Sequence, residues 1–479
     1  MRLSELFPGL VDEAGDGLVT GITADSRAVR PGFVFAALQG VAADGRRFAP
    51  NAIEAGAIAV VGNELPDLAV TTINVDEPRL ELARAAARFY RAQPEKIVAV
   101  TGTNGKSSTV DFLRQIWSSA GIRAASMGTL GAIGPSGHVD LGHTTPDPVA
   151  IHATLAQLVA DKVSHVAMEA SSHGLSQYRL DAVTLSAVAF TNLTQDHLDY
   201  HQTMDEYRQA KLRLFSELAA AGADAVINAD SDENEIMTSV SQQAGLNVVS
   251  VGWRGHDLKI NELMPRQTGQ RLFFSWKGQS GQVDLPLIGE FQALNALMAA
   301  ALALASGLDL ATTIKGLSAL EPVKGRLEYV GRSSAGGAVF VDYAHTAAGL
   351  DVLIRAARPH TAGRLIVIIG CGGDRDKGKR SQMGAVAAKH ADLVIVTDDN
   401  PRTEDPAAIR RQILSAVPGG LEVADRGEAI TSAIRDLRSG DTLLIAGKGH
   451  ETGQIIGDQI IPFSDQETAL AALRGGDHV

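Results

Sequence analysis

Short runs rich in Val and Ile, each closing on a polar cluster, recur along this chain and constrain its fold more than any other feature. Residues 97–100, 163–168, 365–369 and 393–396 are apolar at successive positions rather than alternate ones. That is the pattern of parallel strands covered by helices on both faces. Longer helical patterns over 80–91 and 107–120 lie among them. Strand–helix alternation of this kind predicts an α/β chain built on open sheets. Polar clusters follow the strands at 101–108, 169–172, 342–345, 370–375, 398–402 and 447–451. In open sheets ligands bind beyond the carboxyl ends of the strands. Any one cluster is equally a solvated turn; six of them point to a site.

At about 150 residues per domain, 479 residues suggest three domains. Two junctions fit that number. Residues 91–95 (Arg-Ala-Gln-Pro-Glu) and 321–325 (Glu-Pro-Val-Lys-Gly) each follow a helical pattern and carry helix-stopping residues. The expected domains are 1–92, 93–323 and 324–479. The net charge of −12 argues against a nucleic-acid partner, which needs a basic surface. Aromatic residues, at 5%, are too few for a base-stacking platform. The single cysteine, Cys371, excludes an internal disulfide and a cysteine zinc cluster, and is read as a small apolar filler in a reducing, cytoplasmic setting. Residues 1–10 carry Glu5 and Pro8 and lack a signal-type apolar stretch. The longest apolar stretch, 293–308, holds Asn295 and Ser306 and falls short of the ~20 residues of a membrane span, so a buried helix is expected there.

Residues 98–108, Val-Ala-Val-Thr-Gly-Thr-Asn-Gly-Lys-Ser-Ser, read as strand, glycine loop and helix. The glycines let backbone N–H groups face an anion at a helix N-terminus. Lys106 would reach the β- and γ-phosphates, and the Ser107 hydroxyl would bind Mg²⁺. Val100 stands where the first glycine of the phosphate-loop pattern belongs, and a bare Gly-Lys-Ser also occurs as a turn. Glu169, at a strand tip, is either a Mg²⁺ ligand or a capping, solvated acid. His197, in the ligand-dense segment 191–201, is either a metal ligand or half of a structural pair. Lys211 lies fourteen residues on; spacing alone does not separate it from a solvated surface lysine.

Together these segments resemble the Mur ligase family of ATP-dependent, amide-forming enzymes of peptidoglycan synthesis. The resemblance rests on Thr101-Gly102-Thr103-Asn104-Gly105-Lys106-Ser107, Glu169-Ala170-Ser171-Ser172-His173, Thr191-Asn192-Leu193, Asp196-His197-Leu198-Asp199, Gly325-Arg326 and Asp342-Tyr343-Ala344-His345. It runs from Asp25-Ser26-Arg27 to Gly447-Lys448-Gly449-His450-Glu451. It implies a smaller N-terminal α/β domain for the UDP end of the substrate, a central phosphate-loop ATPase sheet and a Rossmann-like C-terminal domain that admits the amino acid. It also implies ATP held by residues 101–107 and Ser108, with Asn295, Arg326 and His345. Ser26 would contact UDP, with Asp25 and Arg27 nearby. Thr144, Thr145, Ser171, Gln177 and Arg179 would hold the muramoyl-peptide. Lys211, carbamoylated by CO₂, would join His197 and Glu169 around a second Mg²⁺. Lys106, Lys211 and His197 would be the catalytic groups.

The segment Asp398-Asp399-Asn400-Pro401-Arg402 matches the form that in this family accompanies meso-2,6-diaminopimelate. Lysine-adding relatives lack the arginine. Arg402 would grip the carboxylate that lysine does not have, assisted by Arg375, while Glu451 would pair with the ammonium beside Gly447. Asp399, Asn400 and Pro401 complete that set. The expected partners are UDP-N-acetylmuramoyl-L-alanyl-D-glutamate and the diamine, with no nucleic acid, no membrane and a monomeric chain. The alternatives are a lysine-adding relative, a folylpolyglutamate synthetase-like ligase and a non-catalytic nucleotide binder. Four positions depart from the family pattern: Val41 for a frequent His, Ala347-Ala348 for Pro-Asp, and Ser107 for Thr.

Overall fold

The computed structural model describes residues 1–12, 15–40 and 43–475. It divides into two compact units, 1–257 with 298–313 and 258–297 with 314–479.

The first unit opens on four parallel strands in chain order, Gly21–Thr23, Phe33–Ala37, Ala59–Gly62 and Thr71–Asn74. Successive side chains of a strand point to opposite faces. Accordingly Val34 and Ala36 join a core with Leu3, Phe7 and Leu82, whereas Phe35 and Ala37 join another with Ala49 and Val60. The helix expected over 80–91 spans Pro78–Tyr90. It starts earlier because proline at the first turn leaves no helical N–H unpaired. A second sheet follows. Its parallel block runs in the order Asn247–Gly252, Ala219–Asn228, Leu185–Phe190, Lys96–Thr101, His165–Glu169, Ala124–Gly128. The strand expected from 163 begins only at His165. Val163 instead closes the preceding helix, Pro148–Ala160: Lys162 takes a left-handed φ of 64° and the Val163 N–H donates to Leu158 O at 2.9 Å. The helix Lys106–Ser119 buries Val110, Leu113, Ile116 and Trp117, spaced three or four apart.

The second unit holds an antiparallel meander, Leu258–Arg266, Gly269–Trp276 and Gln279–Leu285. It also holds a six-stranded sheet in the order Glu328–Arg332, Ala338–Asp342, Thr442–Ala446, Leu365–Ile369, Leu393–Val396, Leu421–Glu422. All but the first pair of that sheet are parallel. The strands read at 365–369 and 393–396 occur at those bounds. Leu365, Val367 and Ile369 enter one core and Ile366 and Ile368 another, so the unbroken apolar run serves two faces. The apolar stretch read as a buried helix forms the helix Glu290–Ala305, with 293 and 296–303 buried. Among the described residues no helix is long and apolar enough to cross a membrane.

Candidate active site

In the first unit, parallel register sets Thr101 beside Phe190 and Val100 beside Glu169. The glycine loop, Glu169 and Thr191-Asn192 therefore leave the sheet side by side. Gly105 has φ +83°, and Gly102 has φ +147° with so little room that a Cβ would stand 1.9 Å from Thr191 Oγ1. The loop is braced from the neighbouring strand end. Asn104 N–H donates to Asn192 Oδ1 at 2.9 Å, and Thr191 Oγ1 donates to Asn104 O at 2.6 Å. Lys106 Nζ donates to the loop carbonyls of Gly102 and Thr103 at 2.9 and 2.8 Å. Thr101 and Ser108 are buried at the root of loop and helix.

Ser107 Oγ donates to Glu169 Oε1 at 2.8 Å, and both residues are buried. A hydroxyl and a carboxylate so paired are hard oxygen donors, the set Mg²⁺ prefers. Glu169 is cradled further. The Thr129 N–H reaches Oε1 at 2.8 Å, its hydroxyl reaches Oε2 at 3.3 Å, and a Cβ on Gly128 would stand 2.2 Å from Oε1. Thr144 Oγ1 lies 2.9 Å from Thr129 Oγ1. Thr145 Oγ1 donates to Glu169 O at 2.9 Å and accepts from the Ser171 N–H at 3.0 Å. Arg179 donates to Thr145 O and to Gln177 Oε1, 2.8 Å away. The five residues expected to hold the muramoyl-peptide thus form one network behind Glu169.

Lys211, 1% exposed, sits on the helix Met204–Arg213. Its Nζ donates to Gly102 O at 2.9 Å and lies 4.3 Å from the Tyr207 ring centroid. Burial, and then the charge of Lys106, hold its pKa well below the ordinary lysine value. The solvated surface lysine is thereby excluded, and the residue is biased toward the free amine that CO₂ requires. His197 is half-exposed, with a left-handed φ of 53° and Nε2 3.6 Å from Asp196 Oδ2. Among the described residues no group of three His, Cys, Asp or Glu side chains stands ready for a metal. An amine does not ligate through anionic oxygen, so the unmodified Lys211 supplies no ligand for a second Mg²⁺. Ser26, in a turn capped by Asp25, lines a cavity of about 1160 Å³ with Arg27, Phe48 and Asn51 and, from the middle segment, Asp147 and Ala150. Arg27 forks onto Asp25 at 2.8–3.2 Å.

In the second unit, Asn295 Nδ2 donates to Gln292 Oε1 at 3.1 Å, and Gln292 donates to Arg326 O at 2.9 Å. The Arg326 guanidinium stands 4.9 Å from the Tyr343 ring, whose centroid is 4.6 Å from that of His345. Burial lowers the His345 pKa, favouring the neutral ring. The three residues expected to position ATP thus form one chain of contacts.

Arg402 has a left-handed φ of 51°, and a guanidinium N–H donates to Gly373 O at 2.8 Å. The Gly373 N–H donates to Asn400 O at 2.9 Å, closing the two loops on each other. Asn400 Nδ2 donates to Glu451 Oε2 at 3.1 Å. Gly447, with φ +115°, leaves open the space before Asp399 Oδ2 that a Cβ would approach to 3.5 Å. Arg375 is exposed. Cys371 is buried against Met383, 3.6 Å from its sulfur, and burial pushes the thiol up to about 11, as befits a core filler.

Three family profiles match in tandem: "Mur ligase family, catalytic domain" over 18–95, "Mur ligase middle domain" over 100–303 and "Mur ligase, glutamate ligase domain" over 325–449. A Brucella melitensis protein is 48% identical over 473 residues, covering 98% of this chain and 96% of its own. The chain belongs to the Mur ligase family. The Brucella relative is named UDP-N-acetylmuramoyl-L-alanyl-D-glutamate–2,6-diaminopimelate ligase. So is a Bradyrhizobium diazoefficiens protein, 50% identical over 95% of both chains. A solved Mur ligase structure with that title superposes with a TM-score of 0.77 at 31% identity, covering all of both chains. A Mycobacterium tuberculosis folylpolyglutamate synthase, at 18% identity and a TM-score of 0.62 over 82% of this chain and 94% of its own, shares the fold.

The chain has the three-domain Mur ligase architecture, and two of the departures noted in the sequence are accommodated locally. Ser107 keeps the hydroxyl. Ala347-Ala348 opens the helix Ala347–Ala357 normally, because Thr346 Oγ1 accepts from the Gly349 N–H at 3.1 Å. Val41 lies outside the described residues. Five residues escaped the sequence reading: Gly128 and Thr129 around Glu169, Lys448, and the Arg380–Glu404 ion pair behind Arg402. The glycine at a strand end before Thr129, and the lysine between Gly447 and Gly449, were the available signals.

Proposed function

We propose that this chain is the ATP-dependent ligase that joins meso-2,6-diaminopimelate to the D-glutamyl side-chain carboxylate of UDP-N-acetylmuramoyl-L-alanyl-D-glutamate. The observation carrying this reading is the pairing of Ser107 with Glu169 at the foot of a lysine-bearing glycine loop, in a chain about half identical to ligases of that name along its whole length. The domains are assigned as 1–92, 93–323 and 324–479, the first for the UDP end, the second for ATP and the third for the amino acid.

Lys106 exchanges its two loop carbonyls for oxygens of the β- and γ-phosphates. Ser107 and Glu169 would hold one Mg²⁺, and Glu169 and His197 with a carbamate on Lys211 would hold another. Bound there, the ions offset the repulsion between a carboxylate and a triphosphate. The carboxylate oxygen attacks the γ-phosphorus and the bond to ADP breaks, leaving an acyl phosphate. The free amine of the diamine attacks the acyl carbon and loses a proton, and phosphate departs as the amide forms. Thr144, Thr145, Ser171, Gln177 and Arg179 orient the acid. Asn295, Arg326 and His345 bind ATP. Arg402, with Arg375, Asp399, Asn400 and Pro401, takes the distal carboxylate end of the diamine, and Glu451, beside Gly447, takes its ammonium. Ser26 holds the UDP end. The UDP-linked substrate implies work in the cytoplasm, and the chain is assigned as a monomer.

The test is phosphate release with ATP, Mg²⁺, the UDP-linked dipeptide and either diaminopimelate or lysine. Release with diaminopimelate at least tenfold above lysine is the expected result. Release with lysine alone, or with neither, overturns the assignment.

A further inference from the structure

Lysine is almost never fully buried unless paired. Lys448 is 0% exposed and lies just beyond the strand Thr442–Ala446. Its Nζ reaches three oxygens: Asp399 Oδ1 at 3.4 Å, Asn400 Oδ1 at 3.1 Å and Glu451 Oε2 at 3.0 Å. All three acceptors belong to the amino-acid pocket proposed above. Glu451 Oε2 also accepts from Asn400 Nδ2 at 3.1 Å, so two donors hold one oxygen of this carboxylate. Among the described residues Oε1 has no recorded hydrogen bond, and the side chain is 35% exposed. Asn400 is fixed in turn, its Oδ1 accepting from the Ile455 N–H at 3.0 Å.

We infer that Lys448 is a positioning residue for amine recognition: it pins Glu451 by one oxygen so that the other meets the distal ammonium of the incoming amino acid, and it cancels one of the two charges of Asp399 and Glu451. The Asp399–Glu451 pair then presents a single net negative charge, facing the guanidinium side of the pocket formed by Arg402 with Arg375. That pattern complements a zwitterionic amino-acid end, one ammonium and one carboxylate. Without Lys448, two carboxylates within reach of the same nitrogen repel, and Glu451 loses the donor that fixes it. The inference rests on the proposed amino-acid specificity and adds to it the group that sets the pocket's charge.

The test is a double-mutant cycle on the purified full-length protein, using Lys448→Met, Glu451→Gln and both together, with KM for diaminopimelate, KM for ATP and kcat measured for each. Lys448→Met is expected to raise KM for diaminopimelate about tenfold or more while kcat and KM for ATP stay within about threefold. The double variant is expected to be no worse than Glu451→Gln alone, because the lysine acts through that carboxylate. A KM for diaminopimelate unchanged in Lys448→Met, or raised in strict proportion with Glu451→Gln, overturns the inference. An unchanged KM in Glu451→Gln instead overturns the ammonium assignment itself, so the two failures are separable. Should Lys448→Met not fold, the same cycle with Lys448→Gln decides by the same outcomes: a polar amide fills the site, but the charge is lost.

Discussion

Lys106 and Lys211 donate to the same oxygen. Each Nζ lies 2.9 Å from the Gly102 carbonyl, although one lysine belongs to the phosphate loop and the other to a helix more than a hundred residues later. Two ammonium groups converging on one acceptor repel, and burial already disfavours the charge on Lys211. The arrangement thus biases Lys211 toward the neutral amine.

Lys211→Ala is therefore expected to lose most ligase activity, with partial return when a short carboxylic acid is added to stand in for the carbamate. Steady-state phosphate release with and without acetate measures this. Full activity without the additive would show the carbamate to be dispensable.

Arg402 is held by its backbone as well as by its side chain. Its left-handed φ is maintained by hydrogen bonds on both sides, from its own N–H to Ile455 O at 3.0 Å and from the Gly457 N–H to its carbonyl at 2.8 Å. In the proposed role, where Arg402 grips the distal carboxylate of diaminopimelate, Arg402→Ala removes a charged contact of the kind whose loss costs about 2–5 kcal/mol when the partner is desolvated. It should lower kcat/KM for diaminopimelate tenfold or more and leave ATP affinity intact. Equal turnover of mutant and wild type at low diaminopimelate would reject the role.

What could be read in the sequence and what could not divide along a physical line. The strands at 365–369 and 393–396 were legible to the residue because both faces are covered, so the apolar run is unbroken. The phosphate loop was legible because its chemistry is contiguous. Val163 misled because an apolar residue packing under a helix end looks like the first residue of a strand. The supports of Glu169 and Arg402 were not legible, because each pairs positions brought together only by strand order. Thr129 meets Glu169 across 40 residues, and Arg380 meets Glu404 across 24. Lys448 stood in a recognised motif, yet its acceptors Asp399 and Asn400 lie on another strand's loop.

The Arg380–Glu404 pair gives a further prediction. Arg380 is fully buried and forks onto Glu404 at 2.9 and 3.0 Å, and Glu404 Oε1 also accepts from the Asp374 N–H at 2.7 Å. These bonds hold the Glu404 carboxyl down at about 2, ionised throughout the physiological range. Glu404 thereby staples the 370–375 loop to the 398–402 loop behind Arg402. Glu404→Gln should raise KM for diaminopimelate several-fold with little change in KM for ATP. Gly373→Ala should do so more severely, because its Cβ would stand 1.9 Å from Pro401 O and the loops must part. An equal rise in both KM values would show that the pair supports the whole unit rather than the pocket.

His152 supplies a pH test remote from the phosphate loop. It lies on the helix Pro148–Ala160, is 1% exposed, and its Nε2 has no hydrogen-bond partner among the described residues. Burial lowers its pKa from 6.5 to about 4. The unfolded chain therefore takes up this proton first as pH falls, and the folded state only near pH 4. The native state binds fewer protons across that window, so stability is lost as pH drops through 6.5 toward 4 and the loss levels off below. The full effect is about 3 kcal/mol, from roughly 1.4 kcal/mol per pKa unit. His152→Gln removes the titration. Its denaturant midpoint should gain on the wild type between pH 7.5 and 5, and a parallel pH dependence of the two proteins would show that His152 does not govern the acid limb.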